Sequence, residues 1–182
     1  LVAGAHRLAA ARLAGHRTIP VQVHENINDL QARLIEIDEN LIQHVLNPLD
    51  RAIFLAERKR VYEELHPETK KGAKNQHNKD KLLTDTMSFS ENAAVKIGLD
   101  PRSIRRAVAI AQNLIPDVRS RIAGSKIATC QKDLELLSKQ EPARQQEITD
   151  LLMRKEDPAT SVREAVSRIE GHQKAKPNQE DA

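Results

Sequence analysis

A chain of 182 residues with 2% aromatic content, no Trp and a mean hydropathy of −0.58 must build its cores from Ala, Leu, Ile and Val. That suits one large or two small helical modules and excludes a heavily aromatic core. The single Cys130 excludes an internal disulfide, and the formal net charge of +3 is too small by itself to assign a polyanionic partner.

The opening LVAGAHR reads as a strand end, Leu1 to Ala3, running into a turn and a helix. The chain is accordingly expected to be an N-terminally truncated fragment whose opening strands are missing. His6 to Leu13 is Ala-rich and helix-favouring, with Gly15 as its stop. Thr18 to Val23 alternates Ile19, Val21 and Val23 inward, which predicts a short strand, and Pro20 puts it at a sheet edge. Together these segments predict a small α/β module of strand–helix–strand type within residues 1–65. Leu30, Leu34, Ile37 and Leu41 then share one face of a helix from about Asp29 to Ile42, and Asn47 with Pro48 opens another that runs to about Leu65.

Residues 66–87 lose the apolar period and are rich in Lys, Asn and Gly, which predicts a flexible basic linker. Contact with phosphates and a purely solvated connector both remain open for it. A second, all-helical module is expected over 88–171. Ser88 and Glu91 have capping-box spacing, with Ser90 as a competing N-cap. Pro116 opens a short helix that Gly124 ends, Leu134 and Leu137 turn inward from a helix over Gln131 to Lys139, and Ile148, Leu151 and Leu152 do so from one beginning at Pro142. Ser161 and Glu164 cap a last helix, and 172–182 form a polar tail. The fold class is thus mainly α, with the small α/β module at its start.

The densest information lies between Ser90 and Ala111. Ala93 and Ala94 keep one helix thin, Ile97 supplies an apolar contact, Gly98 takes a turn that needs φ > 0, and Leu99 plugs the corner. Asp100 caps a second helix whose first position is Pro101, and Ile104 and Ala107 face the first helix. Arg102, Ser103, Arg105 and Arg106 remain outward, the layout of a helix-turn-helix that presents side chains to the major groove of double-stranded DNA. The alternative is an ordinary corner between two helices with a solvated basic face. Local charge favours the first reading: from Arg102 to Lys126 six basic residues, Arg119, Arg121 and Lys126 among them, face the single acid Asp117.

Two further motifs precede this one. Gly4-Ala5-His6-Arg7 can bring backbone N–H groups and a helix N-terminus to a phosphate, with His6 and Arg7 as side-chain donors. Glu39-Asn40-Leu41-Ile42-Gln43, followed by Leu46-Asn47-Pro48-Leu49-Asp50, offers a carboxylate suited to Mg²⁺ and an amide beside it. In this order, ahead of the helix-turn-helix, they resemble the G-x-[HR]-R and E-N-x-x-R boxes, with the L-N-P-x-[DE] continuation, of the ParB family of plasmid and chromosome partition proteins. Gln43 stands where that family usually has Arg.

The resemblance implies a nucleotide site of Gly4, Ala5, His6, Arg7, Glu39, Asn40 and Gln43 that holds CTP, with Glu39 on Mg²⁺, and a clamp that closes on DNA. It also implies a homodimer, a ParA-like ATPase as partner, and a cytoplasmic location on nucleoid or plasmid. The expected function is sequence-specific DNA binding in plasmid, chromosome or prophage partition or associated transcription control. An enzyme, either a CTPase or a nuclease acting through the first module, is one alternative. A simple repressor without nucleotide is the other. No catalytic residue is assigned, since no Ser/His/Asp or Cys/His arrangement can be defended, and Cys130 reads as a small packing residue. No apolar run reaches membrane-span length.

Overall fold

The computed structural model describes residues 1–43, 45–70 and 87–174. Their regular structure is helical throughout: α1 (Ala5–Leu13), α2 (Asp29–Gln43), α3 (Pro48–Leu65), α4 (Phe89–Ile97) and α5 (Pro101–Asn113) are followed by α6 (Pro116–Ile122), α7 (Lys126–Thr129), α8 (Gln131–Ser138), α9 (Pro142–Leu152) and α10 (Val162–Lys174). A short 3₁₀ turn, Pro67–Thr69, follows α3. No helix among the described residues is long and apolar enough to cross a membrane.

The expected strand–helix–strand module is overturned, because no strand occurs among the described residues. Leu1 to Ala3 and Thr18 to Val23 have no regular structure, and Val21 and Val23 are 71% and 74% exposed. Alternation signals a strand only where a neighbour can take its N–H and C=O groups. Here no described segment does so, and Pro20 lacks an N–H to offer. The mainly helical expectation stands.

Helix boundaries follow local chemistry. α1 ends in a Schellman arrangement, with Gly15 at φ +75°, its N–H bonded to the Arg12 carbonyl and that of His16 to Ala11. α2 begins with a reciprocal box in which Gln31 N donates to Asn28 Oδ1 and Asn28 N to Gln31 Oε1, both at 2.9 Å. Asn47 caps α3, its Oδ1 accepting from Asp50 N at 2.9 Å. Ser88, not Ser90, caps α4 in a full capping box with Glu91. Most of the expected basic linker, residues 71–86, lies outside the described residues. Of its start, the His66 ring packs against Tyr62 in a tilted arrangement, with ring centroids 4.6 Å apart.

Two compact units emerge: Leu1–Val45 with Glu57–Ile104, and Leu46–Ala56 with Arg105–Ala182. In the first, α2, α3 and α4 contribute Ile37, Leu41, Val61, Tyr62, Phe89 and Ala93 to the interior. They also bury a charged network. Arg58, 1% exposed, donates from Nε to Asp38 Oδ1 at 2.5 Å and from Nη2 to Asn92 Oδ1 at 2.9 Å. Its guanidinium lies 5.8 Å from the Phe89 ring centroid, within cation–π range.

The second unit closes around an aliphatic cluster that includes Leu49, Ala52, Leu114, Val118, Ile122, Leu134, Leu137, Ile148 and Val162. Its main buried polar group is neutral. Gln145 accepts from Ile115 N at 3.0 Å and donates to the carbonyls of Asn113 and Gln140, each at 2.9 Å. One amide thereby satisfies backbone groups at the end of α5, the start of α6 and the start of α9.

Candidate nucleic-acid interface

The turn between α4 and α5 is built as its residues dictate. Gly98 ends α4 at φ +75°, with its N–H on the Ala94 carbonyl at 2.9 Å. A Cβ there would meet nothing within 4 Å, so backbone conformation and not crowding is what favours glycine. Asp100 Oδ1 then accepts from the backbone N–H of Arg102 at 2.9 Å and of Ser103 at 3.1 Å, capping α5. The helix breaks at this elbow and restarts at Pro101.

Within this segment Ala93 and Ile104 are fully buried, and Ala94, Ile97, Leu99 and Ala107 are half-buried. Arg102, Ser103, Arg105 and Arg106 are all exposed. At about 100° per residue, Arg102, Arg105 and Arg106 fall within an arc of about 100°, with Ser103 flanking it. Ala109, Gln112 and Asn113 prolong the same exposed stripe. These three carry no charge and were not singled out by sequence. Small and amide side chains beside arginines suit a groove: Ala leaves room, and Gln or Asn can pair with adenine edges.

Charge counting along the sequence overstates how basic the surface is. Arg106 Nε lies 3.4 Å from Glu135 Oε1 on α8. Arg121 donates to Asp150 at 2.6 Å and has Asp117 at 3.8 Å. Neither Glu135 nor Asp150 is near these arginines in sequence, so only folding reveals them. Arg119 is half-buried, while Lys126 is exposed at the start of α7. Of the three candidate backbone anchors, Arg121 is the least available, because two carboxylates already hold it.

The two N-terminal boxes do meet. Arg7, 71% exposed at its side chain, forms an ion pair with Glu39 on α2, joining segments 32 residues apart. Gly4, at φ +85°, precedes α1, whose first turn contains no acid. His6 is exposed beside Arg7, and Ala5 is the first residue of the helix. Asn40 bonds within its own helix to the Glu36 carbonyl at 2.9 Å, and Gln43 is exposed at the end of α2.

No protein-family model matches this chain, and no curated protein matches it. The likeness to ParB proteins therefore rests on the motifs alone.

The donor set at the boxes fits a phosphate better than a metal. An acid-free helix N-terminus, His6 and Arg7 are phosphate donors. Glu39, the carboxylate offered to Mg²⁺, already neutralises Arg7, and no group of three His, Cys, Asp or Glu side chains suited to a metal ion occurs among the described residues. Cys130 is half-buried at the junction of α7 and α8, consistent with a packing residue.

Proposed function

We propose that the chain is a sequence-specific DNA-binding protein that inserts α5 into the major groove as the second helix of a helix-turn-helix. One observation carries this reading: α5, restarted at a Gly98 elbow and capped by Asp100, holds Arg102, Arg105 and Arg106 on one exposed arc. A guanidinium is the commonest reader of guanine O6 and N7, and each good bidentate pair contributes about 1–3 kcal/mol of discrimination. Ser103, Arg119 and Lys126 are proposed as phosphate contacts at the flanks, with Arg121 a weaker one. Binding would then weaken with salt, with a log–log slope of about −0.9 per neutralised phosphate.

The ParB-like order of motifs makes partition, or transcription control linked to it, the proposed setting. A ParA-like ATPase, a homodimer on paired half-sites and association with nucleoid or plasmid in the cytoplasm belong to the same proposal. The test is selection of duplexes from a randomised pool, followed by titration of the enriched duplex against a mixed-sequence duplex at fixed salt. Preference for the enriched duplex supports the reading. Equal affinity for both removes it.

A second reading is favoured by the Arg7–Glu39 pair, which joins the two boxes. Here the first module binds a nucleotide triphosphate, with CTP and Mg²⁺ as the ligands implied by the ParB likeness. Gly4, Ala5, His6 and Arg7 would hold phosphates, and Glu39, Asn40 and Gln43 would line the other side. CTP would supply the stimulus for clamp closure. Titration with CTP and Mg²⁺, comparing the parent chain with Arg7→Ala, decides it: saturable binding lost in the variant supports a nucleotide site, and none in the parent removes it. Phosphate release measured alongside would mark a CTPase, and strand scission a nuclease. DNA binding indifferent to nucleotide would leave a simple repressor.

A further inference from the structure

We infer that Glu135 is the residue that positions Arg106 for reading a guanine, trading non-specific affinity for sequence discrimination. The inference rests on the DNA-binding reading and adds to it a residue from outside the helix-turn-helix. Glu135 lies on α8, and nothing in its sequence spacing connects it with α5. Its Oε1 sits 3.4 Å from Arg106 Nε and accepts from Gln131 Nε2 at 3.0 Å. Gln131 is one helical turn earlier on α8, so the carboxylate is itself held before it meets the arginine.

The choice of nitrogen matters. A guanidinium is a planar fork, and a carboxylate whose closest approach is to Nε restrains the rotation of that plane from its Nε edge. The Nη pair is the end that grips guanine O6 and N7. An arginine side chain has many rotamers, and ordering them on binding has an entropic cost. Holding the fork beforehand lowers that cost only for a base presented at the matching angle. At the same time an acid near the phosphates repels DNA of any sequence.

Arg121 provides the contrast within the same unit. Asp150 takes one terminal nitrogen, Nη2, at 2.6 Å, and Asp117 lies 3.8 Å from Nη1, so both prongs of its fork face carboxylates. Arg106 keeps 45% of its side chain accessible against 28% for Glu135, so the arginine is the more exposed member of the pair.

The test uses the full chain, an enriched duplex selected from a randomised pool, and a mixed-sequence competitor duplex. Glu135→Ala is expected to tighten binding to the competitor while lowering the ratio of specific to non-specific affinity by roughly three- to tenfold, a fraction of what a whole Arg–guanine contact supplies. Glu135→Gln keeps an acceptor oxygen but loses the charge. It should tighten competitor binding in the same way while retaining most of the ratio. In an Arg106→Ala background, Glu135→Ala should leave the ratio unchanged, because no fork remains to be aimed.

A merely structural role would weaken both duplexes together and would not be rescued by Gln. An unchanged ratio in Glu135→Ala overturns the inference, and so does an equal fall with Arg106 absent. If the parent chain shows no preference for its enriched duplex, it is the DNA-binding reading that has failed.

Discussion

The two compact units solve the problem of a buried interior in opposite ways. The first sinks a full charge, Arg58, among helices and answers it with Asp38, Asn92 and the Phe89 ring. The second fills its interior with Leu, Ile, Val and Ala and uses one neutral amide, Gln145, where backbone groups need partners. An aliphatic core tolerates the loss of a methylene gradually. A buried ion pair fails abruptly when one partner goes, because the other is left charged and away from water.

The sharpest way to break that contrast is Asp38→Ala, which strands the Arg58 guanidinium. A loss of about 3–5 kcal/mol is expected, read as the shift in urea midpoint, with the first unit melting ahead of the second. A loss below about 1 kcal/mol would show that the network contributes little net stability. Next comes Gln145→Leu. It preserves volume roughly but orphans Ile115 N and the carbonyls of Asn113 and Gln140, and should cost about 2–4 kcal/mol by the same measurement. Amide exchange at Ile115 should also accelerate. An unaltered Ile115 exchange rate would count against the role given to Gln145.

The smallest effect is at the start of α10, where the Glu164 carboxyl is pulled down to about 2, first by the Thr160 hydroxyl, then by the Thr160 backbone N–H and by Arg168. A depressed folded value means that the contribution to stability is present above the ordinary carboxylate range and fades as pH falls toward 2. Melting temperatures of the parent and of Glu164→Gln should therefore differ at pH 6 and converge on acidification. A difference that persists undiminished would contradict this. Because the group is at the surface, the separation should be small.

The same contrast explains what could be read from the sequence. Periodicity identified α2, α8 and α9 with most of their inward residues, since Leu134, Leu137 and Ile148 are apolar and turn toward apolar neighbours, whereas α3 was legible only from its Asn47–Pro48 start. Caps were equally legible at Asn47, Ser88 and Asp100, where side chain and backbone partner lie within three residues of each other. The burial of Asp38 and Arg58 is not legible in the sequence, because a polar residue on an amphipathic helix reads as outward and only its partner 20 residues away shows otherwise.

Long-range partners also limited the reading of the sites. Glu135 and Asp150 reduce a basic count that looked nearly unopposed along the chain. The motifs offer Arg7 and Glu39 each to a ligand, and folding pairs them with one another. The predicted strands failed for a related reason: Thr18 to Val23 has the right alternation but no strand to pair with among the described residues.

The central claim is that α5 reads DNA through its exposed arginines, and the direct measurement is a fixed-salt titration of an enriched duplex with the parent chain, Arg105→Ala and Arg106→Ala. Loss of roughly 5- to 150-fold in specific affinity for each variant, with a smaller loss in mixed-sequence binding and unaltered melting temperatures, is the predicted result. Unchanged specific affinity in both variants would contradict it.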